Sequence, residues 1–339
     1  MHPGQVRANG DIITSQAVGR CVDEQRHMLC TQWKVRTMRT PENVIYTDNG
    51  YGPVSKLAGT ACTIGIQSFI SNASFDNGTC KLELDWPLQS ALNHKDIVPA
   101  KEGGKRKILV ALGGGTFDTP SWQACSDNLD AFADALVSFV KTNDFDGIDI
   151  DWEDTGALTK SGGYDAVAFL SGLTRKLRAG LPAPQYIITH APQPPYFDAS
   201  FHGGTYMQVM KQVGTLIDYL NIQYYNNGDF VGTTGSEQAE KVAGTTGSPA
   251  FATSIVGLVA QGLPVEKLLV GKPTTPHNAG TGFLPVDEFC SDVVAPLVAK
   301  YGANFGGVMG WQLAQSPSSA DLEYDWISTV ADALSGNAE

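Results

Sequence analysis

From residue 43 onward, short apolar runs recur along the chain, each closed by Gly, Asn or Pro. The clearest are Asn43–Tyr46, Thr63–Ile66, Lys107–Leu112, Gly147–Asp151, Tyr186–Thr189, Tyr219–Gln223, Lys267–Val270 and Gly307–Met309. Runs this short, bounded by turn formers, predict strands. Several of the stretches between them carry a helical period instead. Leu129, Phe132, Leu136 and Phe139 recur at spacings of three and four, which places them on one face of a helix over 129–140. Phe169, Leu173 and Leu177 repeat the pattern over 166–177, and Gly180-Leu181-Pro182 ends it. A third helix is expected over 286–301.

Eight strands alternating with helices predict an α/β fold, a single (β/α)8 TIM barrel, and the length of 339 residues suits one. A doubly wound sheet is the rival. It is disfavoured because Gly113-Gly114-Gly115-Thr116 lacks the GxGxxG spacing of a dinucleotide fold. No internal repeat or linker divides the chain. Residues 1–42 are polar and irregular and are expected to be an N-terminal extension of unknown role, with residues 43–339 as the barrel domain.

The segment that changes the picture most is Phe145-Asp146-Gly147-Ile148-Asp149-Ile150-Asp151-Trp152-Glu153. Side chains alternate across a strand, so Asp149, Asp151 and Glu153 share one face and Ile148, Ile150 and Trp152 the other. The isoleucine face fits beneath the outer helices of a barrel. The carboxylates then point inward and rise toward the C-terminal mouth, where barrel enzymes do their chemistry. Three like charges on one buried face raise at least one carboxyl pKa, and a carboxyl kept protonated is what a general acid needs. A calcium site would need six to eight oxygen ligands, and no such loop is present.

Composition narrows the class further. Lys and Arg total 23 against 35 Asp and Glu, a net charge of −12 that argues against a nucleic-acid partner. No apolar run is long enough to span a membrane. The histidines show no metal-ligand spacing, so neither a metal nor another cofactor is expected. The six cysteines permit disulfides, with Cys21–Cys30 and Cys62–Cys80 as the nearest pairs in sequence, or six buried thiols. Two glycosylation triplets, at Asn72 and Asn77, lean toward secretion; the N-terminus Met1-His2-Pro3-Gly4-Gln5 has no apolar h-region, so a signal peptide is either absent or already removed.

The nine-residue segment closely resembles the catalytic signature of family 18 glycoside hydrolases, DGxDxDxE, commonly with Trp before the Glu. Other stretches extend the resemblance in strand order over roughly residues 43–330. Ala111-Leu112-Gly113-Gly114 resembles the family's SxGG motif, with Ala in place of Ser. Gln223-Tyr224-Tyr225-Asn226 resembles the sixth-strand motif of plant and fungal members. Ala191-Pro192-Gln193 resembles the end of the fifth strand, and Gly310-Trp311 the eighth-strand Trp beneath the sugar. Tyr46 stands where many members carry an aromatic residue.

The resemblance implies a retaining, endo-acting hydrolase that cuts β-1,4 linkages beside N-acetylglucosamine in chitin or chitooligosaccharides. The substrate's acetamido oxygen would be the nucleophile, forming an oxazolinium ion. Glu153 would be the general acid and base, Asp151 would orient the acetamido group, Asp149 would tune the cluster, and Tyr225 would donate to the acetamido oxygen. Gln223, Trp311, Tyr46, Gly113, Gly114 and Gln193 would contact substrate, the two glycines mainly by permitting close packing, and Asp146 would be structural. His190 is expected to be a satisfied structural residue. Trp33, Trp86, Trp122 and Trp326 are open candidates for outer sugar sites. An endo-β-N-acetylglucosaminidase acting on the N-glycan core would share this machinery. A non-catalytic sugar-binding lectin would usually have lost the Glu. A monomer is expected.

Overall fold

The computed structural model describes residues 40–48, 53–159, 163–313 and 320–336. The expected extension therefore lies, but for its last three residues, outside the described residues, together with Cys21, Cys30 and Trp33.

Among the described residues nine strands form: β1 (Glu42–Thr47), β2 (Ile64–Asp76), β3 (Thr79–Leu84), β4 (Lys107–Gly113), β5 (Gly147–Asp151), β6 (Ile187–His190), β7 (Tyr219–Gln223), β8 (Leu268–Pro273) and β9 (Gly307–Trp311). All but β3 pair in parallel, and β1 bonds both β2 and β9, so the eight close into a (β/α)8 barrel. Each of the eight apolar runs falls in one of these strands or starts one residue before it. Glu42 is part of β1: its N–H donates to the Gly306 carbonyl at 2.9 Å, and its carboxylate accepts from Thr63 and Tyr219, each at 2.7 Å. A boundary after residue 42 thus cuts the first strand, and the barrel starts at or before that residue.

The strand that the apolar pattern does not foresee is β3. It lies antiparallel to β2 as the outer arm of a hairpin. The turn is Asn77-Gly78, with φ of 48° and 78°. Two successive positive φ values match the twist of the flanking strands, which is why Asn-Gly favours this turn. The same two residues open one of the glycosylation triplets, so one stretch carries both signals. The hairpin also explains why a Cys62–Cys80 bridge is not made. Cys62 precedes β2, whereas Cys80 pairs with Phe75 near the far end of that strand. About a dozen extended residues separate the two levels, roughly 40 Å. Cys62, Cys80, Cys125 and Cys290 are all free thiols.

Side-chain alternation divides the interior into two cores. Ile108, Val110, Leu112, Ile148, Ile150, Ile188, Ile222 and Val270 face outward and pack beneath the helices. Val44, Tyr46, Ile64, Ile66, Leu109, Ala111, Leu269 and Met309 fill the barrel. The helix Leu129–Thr142 buries Phe132, Leu136 and Val140. The helix Ala166–Gly180 starts at Asp165, whose carboxylate accepts from the Ala168 N–H at 2.9 Å, and buries Phe169, Leu170, Leu173 and Leu177. Each such side chain stabilises the fold by about 1.5–3 kcal/mol of transfer free energy. The third expected helix is also present. It runs from Val286 to Tyr301 with one wide turn at Cys290–Val294.

Candidate active site

The acidic strand is β5, anchored at its start. The Asp146 carboxylate accepts from the Ile108 N–H at 2.9 Å and pairs with Lys101 at 3.1 Å and Lys107 at 3.5 Å. It thus ties β5 to β4 at the end away from the barrel mouth. Gly147 follows because a Cβ there would lie 1.9 Å from the Ile187 carbonyl oxygen. Asp149 and Asp151 then point into the barrel.

Asp149 is fully buried and takes three donors. Tyr46 Oη donates at 2.6 Å, Thr189 Oγ1 at 2.5 Å and Asn221 Nδ2 at 3.1 Å. Burial raises its carboxyl above the ordinary range, and the three donors pull it back only in part. Register explains the partners. Asp149 stands between Ala111 on β4 and Thr189 on β6. Ala111 offers no hydroxyl, so the neighbouring-strand hydroxyl comes from Thr189.

Asp151 and Glu153 are bound to one amide. Gln223 Nε2 donates to Asp151 Oδ1 at 2.8 Å, to Glu153 Oε1 at 3.1 Å and to the Ala191 carbonyl at 2.9 Å. Gln193 Nε2 donates to the other Glu153 oxygen at 3.4 Å. Burial first, then the charges of Glu153 and Asp149, push the Asp151 carboxyl far above the usual carboxylate range. Crowding three carboxylates on one buried face disfavours full ionisation of the cluster. Tyr225 follows on the same side of the chain as Gln223. It is only 7 % exposed, yet its hydroxyl faces the cavity with no protein partner among the described residues.

These groups line a cavity of about 290 Å³ at the barrel mouth. Asp151, Glu153, Gln193, Gln223, Tyr225, Gly114 and Trp311 form its wall. Two expected sugar contacts do not. Tyr46 lies beneath the cavity, fully buried, and acts on Asp149. Gly113 is a packing position: its φ is 106° and a Cβ would sit 2.2 Å from the Asp151 carbonyl oxygen. Trp311 meets Tyr46 edge-on at 5.6 Å between ring centres and Phe69 at 5.9 Å.

Glu153 stands just beyond β5, so the loop after it must be held. Trp152 is buried on the outer side, and its indole N–H donates to Tyr164 Oη at 2.9 Å. That hydroxyl donates to Asp154 at 2.8 Å, and Asp154 also accepts from Thr119 Oγ1 at 2.5 Å and the Ala157 N–H at 3.1 Å. His190 faces the helices too, because it shares the parity of Ile150. It is buried against Thr174 at 3.1 Å and Tyr206 at 3.3 Å and is not part of the cavity. Trp122 and Trp326 are buried in the outer core. Trp86 is 68 % exposed.

Sequence reasoning missed Thr189 and Asn221, both placed by strand parity: Asn221 is two residues before Gln223, and Thr189 is the register partner of Asp149. It also missed Phe69, Asp48 and Asp85 on the cavity wall. Phe69 lies where the pairing of β2 shifts between Gln67 and Ile70, and a bulge re-aims side chains in a way alternation does not foresee.

A closed parallel barrel with an inward row of carboxylates at its C-terminal mouth has the architecture of the barrel enzymes, which carry their sites at that end. The model of glycosyl hydrolases family 18 matches residues 42–282, and the chain belongs to that family. A crystal structure of a family 18 chitinase from Pseudoalteromonas aurantia is 31 % identical, with a TM-score of 0.69, and the match covers 86 % of this chain and 99 % of that one. A chitinase of Paenibacillus xylanexedens is 27 % identical over 217 residues, which are 56 % of this chain and 39 % of that protein. Chitinase ChiA of Flavobacterium johnsoniae is 23 % identical over 236 residues, 62 % of this chain and 14 % of that much longer protein. The chain thus spans well under half the length of these two curated relatives.

Proposed function

We propose that this protein is a retaining chitinase that cuts β-1,4 linkages beside N-acetylglucosamine with help from the substrate's own acetamido group. The observation that carries the reading is the single Gln223 amide holding Asp151 and Glu153 together beside the unpartnered hydroxyl of Tyr225. In this reading Glu153 gives a proton to the glycosidic oxygen as the bond to the anomeric carbon breaks. The acetamido oxygen attacks that carbon from the opposite face, so the nucleophile is already in place within the bound sugar. Asp151 accepts from the acetamido N–H and balances the positive charge of the oxazolinium ion. Tyr225 donates to the acetamido oxygen and holds it near the reacting carbon. Glu153, now ionised, takes a proton from water as the water opens the ring and restores the original configuration. A polymeric substrate also supports the expectation of secretion, and the residues before β1 are read as an extension to the barrel.

The test offers chitooligosaccharides and a high-mannose glycoprotein to the wild type and to Glu153→Gln. The wild type is expected to cut the oligosaccharides, and the variant to lose roughly a thousandfold in kcat, in the range of general acid–base contributions. Cleavage of the glycoprotein alone would replace chitinase by an endo-β-N-acetylglucosaminidase. Sugar binding without cleavage of either would mark a lectin, and equal activity in Glu153→Gln would overturn the site.

A further inference from the structure

The hydroxyl of Tyr225 meets no protein partner among the described residues, so nothing holds the ring at its tip. Its direction is set from its backbone, and that backbone has one weak point. In the ladder between β7 and β8, Gln223 stands opposite Gly271, and the Tyr224 N–H donates to the Gly271 carbonyl at 3.0 Å. A parallel ladder would next bring the amide of residue 273 to the Tyr224 carbonyl. That residue is Pro273, the last of β8, and proline has no N–H to give. Lys272 fills the gap. Its Nζ donates to the Tyr224 carbonyl at 2.9 Å and to Gln238 Oε1 at 2.5 Å. Gln238 is fully buried at the end of the short helix Gly235–Gln238. It donates in turn to the carbonyls of Gly282 at 3.3 Å and Gly232 at 3.4 Å. Gly282 lies against Tyr225: its φ is 90°, and a Cβ there would come within 2.8 Å of the Tyr225 Cα.

Lys272 is 1 % exposed and pairs with no carboxylate among the described residues. Burying an amine without a counter-charge is costly, and burial drives its ammonium well below the ordinary lysine range. A methionine of similar length would fill the space without that cost. Lys272 shares the outward parity of Val270 and does not line the cavity, so it has no contact to offer a substrate. What the lysine adds is its two bonds. We propose that Lys272 is a positioning residue for Tyr225: its amine supplies the rung that Pro273 cannot, and so fixes the peptide that aims the Tyr225 hydroxyl into the cleft. The proposal rests on the reading that gives Tyr225 a part in the reaction. The neighbouring carbonyls do not depend on the lysine, because Asn227 Nδ2 donates to those of Gln223 at 3.0 Å and Tyr225 at 2.7 Å. Without the amine, the Tyr224 carbonyl is left buried and unbonded. Its peptide then turns toward another donor and carries the Tyr225 ring with it.

The test measures kcat and KM on chitohexaose for the full chain as wild type, Lys272→Met, Tyr225→Phe and the double variant. Lys272→Met is expected to lower kcat about tenfold, the scale of one buried hydrogen bond left unmade, with KM changed by less than about twofold. In the Tyr225→Phe background the same substitution should cost less than about twofold, because the hydroxyl it positions is already gone. An equal factor in both backgrounds, or no loss in the first, would overturn the proposal. Pro273→Ala returns an N–H to the ladder, so adding it to Lys272→Met should regain part of kcat; no regain also counts against the proposal. If the wild type does not cut chitohexaose, the chitinase reading fails separately, and NMR of the tyrosine rings decides on the positioning. The Tyr225 signal, identified by its loss in Tyr225→Phe, should move in Lys272→Met and return toward its wild-type place when Pro273→Ala is added. An unmoved signal in folded Lys272→Met overturns the proposal. Where Lys272→Met does not fold, the variant carrying both Lys272→Met and Pro273→Ala is read instead. A folded protein with the wild-type Tyr225 signal supports the proposal, and any other result overturns it.

Discussion

Thr189 shows how one side chain takes over a task that the sequence leaves vacant. Ala111 stands beside Asp149 without a hydroxyl, and Thr189 supplies one from the other neighbouring strand at 2.5 Å. Thr189→Ala should lower kcat on chitooligosaccharides about tenfold or more, the scale of a hydrogen bond to a charged group, with KM less affected. Adding Ala111→Ser to that variant should restore part of the loss, which a merely structural defect would not allow. His190 gives a prediction of a different kind. Burial holds its imidazole at about 3, whereas in an unfolded chain it titrates near about 6.5. The native state thus excludes a proton that the unfolded state binds. The stability carried by the neutral ring is complete above pH ~6.5 and is lost as pH falls toward about 3. Across that window His190→Gln should flatten the fall in unfolding free energy by up to about 1.4 kcal/mol per pH unit, measured by denaturant titration.

At the scale of elements, β5 is the part most fully written in the chain. Its alternation separates acids from isoleucines, and the structure keeps that division. The packing of its start depends on Gly147, where a Cβ would meet the backbone of β6 at 1.9 Å. Gly147→Ala should destabilise the barrel by about 3 kcal/mol, the upper range for overpacking, and lower Tm by several degrees. The β2–β3 hairpin was less legible. Its Asn-Gly turn was visible, but β3 has one face exposed and no apolar run, so hydrophobic pattern alone passed over it. Phe69 was hidden for a related reason, since the shift in β2 pairing breaks the alternation on which strand reasoning depends.

At the scale of the whole molecule, the barrel closes through β1, and Glu42 bonds to β7 and to the residues just before β2 and β9. A chain beginning at residue 40 is expected to retain the Tm of the full chain within a few degrees and its activity on chitooligosaccharides. A loss of cooperative melting would show that the first 39 residues are part of the barrel's stability. By itself the sequence determined the eight barrel strands, the faces of the helices and the acids that share a side. Those follow from periods of two and 3.6 residues, which are local. Tertiary structure alone decided which donors reach Asp149, that Tyr46 and Gly113 support the cavity from outside its wall, and that Asp48 and Asp85 line it. Each of these depends on register between strands far apart in the chain, and register is set by closing the ring.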